Sequence, residues 1–147
     1  MRSTFFLFIL IFCFSSYSQD FSLRTEHIAL VVEDLEKSSN FYLEVLNLKE
    51  IKNETGNPKI RWFAFGDSRQ LHLLEGDLSK VKTPKSVHLA FAVASLDPVI
   101  AHLDRRQYPY ENWYGDKNTT NDRPDGVKQI YLQDPNGYWI EINNFYN

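Results

Sequence analysis

Two stretches of the chain share one hydrophobic pattern. "HIALVVEDL" covers residues 27–35 and "HLAFAVASL" covers 88–96. Side chains alternate across a strand, so His27, Ala29 and Val31 fall on one face and Ile28, Leu30 and Val32 on the other. In the second stretch His88, Ala90, Ala92 and Ala94 oppose Val87, Leu89, Phe91 and Val93. Each strand therefore has a bulky face for packing and a face of small residues headed by a histidine. Each is followed by a helical pattern: Leu35, Ser38, Phe41, Tyr42, Val45 and Leu46, then Leu96, Val99, Ile100 and Leu103. Short strand-like runs follow each helix, at about 48–54, 59–66 and 69–75, and at about 110–116, 126–133 and 138–145. Pro58, Pro124, Pro135 and nearby glycines punctuate them. The pattern predicts βαβββ twice, an α+β domain of two modules at about 24–82 and 86–147 whose sheets cup together with pseudo-two-fold symmetry. The polar stretch 117–125, "KNTTNDRPD", is expected to be a long loop that moves or covers a site.

The repeat also organises the polar residues. In "RQLHLLE" (69–75), His72 lies on the face opposite Leu71 and Leu73. In "YWIEIN" (138–143), Glu141 shares a face with Trp139 and Asn143 while Ile140 and Ile142 turn to the core. His27 and His88 come from equivalent first strands, and His72 and Glu141 from equivalent last strands. Singly, each is read as a structural or solvated residue; together they form a candidate ligand set. Three imidazoles and one carboxylate suit Zn²⁺, Ni²⁺, Co²⁺, Fe²⁺ or Mn²⁺ better than the oxygen-preferring Mg²⁺ and Ca²⁺. The fourth histidine, His102, falls on the second helix and is expected at the surface or half-buried. Trp62, Trp113, Tyr114, Tyr131 and Trp139 are expected to be mostly core, with Trp62, Tyr131 and Trp139 as candidate lining of a substrate pocket.

Of the 147 residues, 43% are hydrophobic and 15% aromatic, enough for one cored domain, and the net charge of −3 gives no footprint for nucleic acid. Residues 1–18 differ from the rest. One charge, Arg2, precedes the apolar run "FFLFILIFCF" at 5–14, and "SSYSQD" follows. This is the pattern of a secretory signal peptide cleaved before Gln19, and the run is shorter than the roughly 20 residues of a membrane-spanning helix. The expected product, residues 19–147, is exported and contains no cysteine. Any metal site in it rests on histidines, carboxylates and carbonyls.

"HIALVVEDLEKSSNFYLEVLNL", "VHLAFAV" and "YLQDPNGYWIEI" resemble the vicinal oxygen chelate superfamily of glyoxalase I, extradiol dioxygenases and bleomycin-binding proteins. The resemblance runs from about His27 to Phe145. It implies paired βαβββ modules, a divalent transition metal on His27, His72, His88 and Glu141, and a small substrate chelated through neighbouring oxygens. A homodimer is the default state, with the site inside one chain or shared between two. His72 stands where glyoxalase I usually has a second glutamate and methylmalonyl-CoA epimerase, another member of the superfamily, a glutamine. The leading expectation is a metal-dependent lyase or isomerase of the glyoxalase I type, with Glu141 as a ligand that doubles as a base and His72 as a ligand or second base. An Fe or Mn dioxygenase and a metal-free small-molecule binder are the alternatives.

Overall fold

A computed structural model describes residues 22–66 and 68–146. The expected signal peptide at 1–18 lies outside them. Strand β1 (His27–Val32) leads into helix α1 (Leu35–Glu44), followed by β2 (Lys49–Ile51), β3 (Ile60–Phe65) and β4 (Arg69–Glu75). Asp34 starts α1, its carboxylate accepting the Lys37 amide at 2.8 Å, and so satisfies one of the donors left open at a helix N-terminus. The second module repeats the order: β5 (His88–Ala92), α2 (Asp97–Arg105), β6 (Asn121–Asp122), β7 (Lys128–Gln133) and β8 (Trp139–Asn143). Pro98 sits in the first turn of α2, where its missing N–H costs nothing.

The strands form two four-stranded sheets, ordered β1-β4-β3-β2 and β5-β8-β7-β6. In each, the first strand pairs parallel with the last and the remaining neighbours are antiparallel. Parallel pairing needs a crossover, which each module's helix and intervening strands supply. The registers are equivalent. His27 sits opposite Gln70, two residues before His72; His88 sits opposite Trp139, two residues before Glu141. The two histidines that head the modules are thus set beside the same positions of their partner strands. This is the α+β vicinal oxygen chelate fold of two βαβββ modules.

One strand departs from expectation. Residues 110–116 form a tight turn with two isolated bridges at Glu111, and the short β6 lies inside the stretch expected to be all loop. The cause is Asn112. Its side-chain oxygen accepts the amides of Tyr114 and Asp116, at 2.9 and 3.0 Å, and so competes with a strand ladder.

The bulky faces supply the core as the alternation predicts: Leu30, Val32, Leu71, Leu73, Ile140 and Ile142 are all buried. The modules are joined through the "DPNG" turn. Asp134 accepts the amides of Asn136 and Tyr138 through one carboxylate oxygen, at 2.8 and 2.9 Å. The other oxygen accepts the Tyr42 hydroxyl of α1 at 3.1 Å. Asn136 accepts the Glu33 amide and donates to the Ser38 hydroxyl, at 3.0 and 2.9 Å. The Tyr138 hydroxyl donates to the Val31 carbonyl at 3.1 Å.

This joint has an alkaline signature. Burial, then the neighbouring Asp134 charge, pushes the Tyr42 phenol well up and the Tyr108 phenol up to about 12. A phenol whose folded pKa exceeds its unfolded value contributes stability in full below about pH 10, and that contribution is lost as pH rises through the folded value. Tyrosinate absorbance measured on the folded protein is expected to show a fraction held back past pH 11, released together with unfolding. Titration of every tyrosine near pH 10 in a still-folded chain would contradict the joint.

Candidate functional site

Glu141 projects from β8 between two core isoleucines, yet it is only 5% exposed rather than solvated. Its neighbours compensate it. Oε2 accepts the Tyr131 hydroxyl at 2.6 Å, and Oε1 accepts the Asn143 amide at 2.6 Å. An Arg123 guanidinium nitrogen lies 3.6 Å from Oε1. Burial and the Glu141 carboxylate push the Tyr131 phenol well up, so it stays a hydrogen-bond donor. On the adjacent strand, His88 brings Nε2 to 3.1 Å from Glu141 Oε2.

The tautomer of His88 is fixed by its other nitrogen. Nδ1 lies 2.8 Å from the Lys85 carbonyl, which only accepts, so Nδ1 carries hydrogen. In a neutral ring Nε2 then points a lone pair at a carboxylate. That arrangement calls for a positive charge between them, either a proton or a metal ion. Two donors on one ion at metal–ligand distances of about 2.1 Å stand roughly 3 Å apart when adjacent, so this pair fits a divalent transition metal.

Three side chains of this region were not singled out in the sequence. Lys85 is anchored on Glu111 Oε1 at 2.5 Å and lies over the Trp139 and Tyr131 rings. Arg123 comes from the polar stretch expected to cover a site. Asn143 shares the Glu141 face, which the alternation had already shown. Trp113 meets His88 and Tyr131 in edge-type contacts, with ring centroids 6.4 and 5.6 Å away. The hollow over Glu141, about 460 Å³, is lined by Trp113, Tyr114, Arg123 and Tyr131 among others.

The other pair is built differently. His72 is sandwiched between Trp62 and His27, with ring centroids 4.2 and 4.4 Å away and planes within 7° and 13° of parallel. Its Nε2 meets the Gln70 side-chain oxygen at 2.8 Å and therefore donates, leaving Nδ1 with a free lone pair. The Nδ1 of His27 meets the Glu26 carboxylate, leaving Nε2. Burial, then the adjacent His27, lowers the His72 pKa and favours the neutral ring that a metal requires.

The four residues expected to form one set are brought together as two pairs. Among the described residues, no three His, Cys, Asp or Glu side chains gather in a metal-holding group. The expectation of aromatic core also fails for most of the five rings. Only Tyr131 is buried, Trp62 and Trp139 are half-buried, and Trp113 and Tyr114 are 41% and 77% exposed. His102 is half-buried, with Nε2 donating to the Glu44 carbonyl at 3.0 Å.

Known proteins share this architecture. The chain is 29% identical over 125 residues to "Glyoxylase I 4" of Arabidopsis thaliana, covering 80% of this chain and 68% of that one. It is 26% identical over 124 residues to YwbC of Bacillus subtilis (strain 168), covering 81% and 95%. A putative glyoxalase family protein from Bacillus anthracis superposes with a TM-score of 0.68 at 23% identity, over 86% of this chain and 98% of that one. A profile of the Glyoxalase/Bleomycin resistance protein/Dioxygenase superfamily matches residues 24–142. With its paired modules and equivalent registers, the chain belongs to that superfamily.

Proposed function

We propose that two copies of this chain complete a metal centre between them, the His27–His72 pair of one copy facing the His88–Glu141 pair of the other. The centre serves a lyase or isomerase of the glyoxalase type, acting by proton transfer on a small substrate with neighbouring oxygens. The observation that carries this reading is His88 Nε2 standing 3.1 Å from the Glu141 carboxylate while Nδ1 is spent on the Lys85 carbonyl. Each pair is half of a ligand set, and the repeat makes the halves equivalent. A bound Zn²⁺, Ni²⁺ or Co²⁺ would act as a Lewis acid for charge developing on the two substrate oxygens.

The chain's own groups supply the rest. Glu141 takes the proton from the carbon next to the carbonyl and returns it to the neighbouring carbon. Tyr131 and Asn143 hold the two carboxylate oxygens in place for that transfer. Trp113 and Tyr114 wall the hollow above, and Arg123 brings positive charge to its rim. The apolar run at 5–14 supports export of this enzyme. A non-glutathione substrate, such as another thiol adduct or an α-hydroxycarbonyl compound, then fits better than the cytosolic hemithioacetal.

One observation favours a second reading. His72 is stacked on both ring faces and tied to Gln70, so it is the member most readily spared as a ligand. His27, His88 and Glu141 alone make the two-histidine, one-carboxylate set of Fe(II) oxygen chemistry. Elemental analysis of the purified protein separates the two readings. About one Ni, Zn or Co per chain, lost in Glu141→Ala and in His72→Ala, is the expected result. Fe or Mn retained in His72→Ala would favour the dioxygenase. A chain that takes up no metal on reconstitution would leave only a small-molecule binder.

A further inference from the structure

A second hollow lies between the modules; His102 lines it, but none of His27, His72, His88 and Glu141 does. It encloses about 770 Å³ between the end of α1, the β3–β4 turn, the edge of β5 and helix α2. That volume is within the range of about 300–1,000 Å³ typical of small-molecule sites. Among the described residues it shares no lining residue with the hollow over Glu141. The wall is largely apolar: Val45, Leu46 and Val99 surround the Phe65–Phe91 edge contact at 5.1 Å.

The charge of the lining is one-sided. Arg69 and Arg105 both line the hollow, and among the described residues no Asp or Glu does, although the chain as a whole is net negative. Arg69 lies over the Phe65 ring, with its guanidinium carbon 5.8 Å from the centroid. Among the described residues neither arginine forms an ion pair or a side-chain hydrogen bond, whereas the adjacent Arg106 pairs with Glu44 at 3.0 Å. Two guanidiniums beside an apolar wall present paired donors for a planar carboxylate and a dry surface for whatever the carboxylate carries. We propose that this cleft binds a free organic carboxylate with an apolar body, its head held by Arg69 and Arg105 and its tail on Val45, Leu46, Phe91 and Val99.

Calorimetric titration of the purified protein tests this with three probes that share a straight ten-carbon chain and differ in the head: decanoate, decanol and decyltrimethylammonium. Decanoate is expected to bind once per chain, at least about tenfold more tightly than the other two. A charge-assisted hydrogen bond is worth roughly 1.5 kcal/mol or more, so Arg69→Ala and Arg105→Ala are each expected to weaken it about tenfold. Their melting temperatures should change little, since among the described residues Arg105 contacts no charged partner and Arg69 only overlies the Phe65 ring. Arg69→Lys keeps the charge without the paired donors and should fall between. Equal binding of decanoate and decanol, or arginine variants that bind as the parent does, would overturn the proposal. So would decanoate binding abolished by His88→Ala, which would place the ligand in the other hollow. Failure to bind, with Arg69→Glu splitting a dimer in sedimentation, would assign the cleft to a second copy instead.

Discussion

Glu141→Gln is expected to lower turnover by about 10³-fold, within the range of 10²–10⁴ for loss of a positioned acid–base group. The amide is nearly the same size as the carboxylate and still accepts one of the two short hydrogen bonds from Tyr131 and Asn143. It cannot take a proton, and it no longer opposes the His88 lone pair with a full negative charge. The chain should therefore stay folded while losing both activity and metal. The measurement is isomerisation of hemithioacetals of methylglyoxal with small thiols, and of simple α-hydroxy ketones, run beside metal content and a melting curve. Tyr131→Phe removes only one support of the carboxylate and should cost roughly tenfold. A Glu141→Gln protein that turns over any of these substrates at the parent rate would remove Glu141 from the chemistry.

Asp134→Ala is expected to cost about 3–4 kcal/mol of stability, the largest effect of a single substitution outside the core. The carboxylate is 4% exposed and accepts two backbone amides and the buried Tyr42 hydroxyl. Deleting it strands three donors, and an unsatisfied buried donor costs roughly 1–3 kcal/mol. For a domain of this size that corresponds to a fall in Tm of about 10–15 °C. Tyr42→Phe removes the donor together with its need for a partner and should cost only about 1 kcal/mol. The contrast between these two variants is the test. If Asp134→Ala melts within a few degrees of the parent, the turn does not join the modules.

The sequence showed the modules because their period-two strands repeat with one histidine at the same place in each. The burial of Ile140 and Ile142 and the inward face of Glu141 followed from that alternation alone. The joint was not legible. "DPNG" reads locally as a turn, and nothing along the chain says that Asp134 reaches a tyrosine 92 residues away. The 110–116 segment misled for the opposite reason: its aromatic residues favour a strand, but the Asn112 side chain wins the local hydrogen bonds. The four candidate ligands could be named, because strand alternation fixes faces. Their division into two pairs could not, since it depends on how the two sheets sit in space. Arg69 and Arg105 carry no local signal at all; their meeting in one hollow emerges only from the fold.

The central claim, a site divided between copies, is tested most directly by mixing two inactive variants. His72→Ala damages the first-module pair and His88→Ala the second. If the site is shared, a mixed dimer contains one site in which both halves are intact. Unfolding and refolding the two variants together in equal amounts should therefore restore about a quarter of the parent sites, read as bound metal and as turnover, while each variant alone stays empty. Failure of the mixture to recover either readout, with dimers confirmed by sedimentation, would show that each chain builds its site alone and would contradict the account.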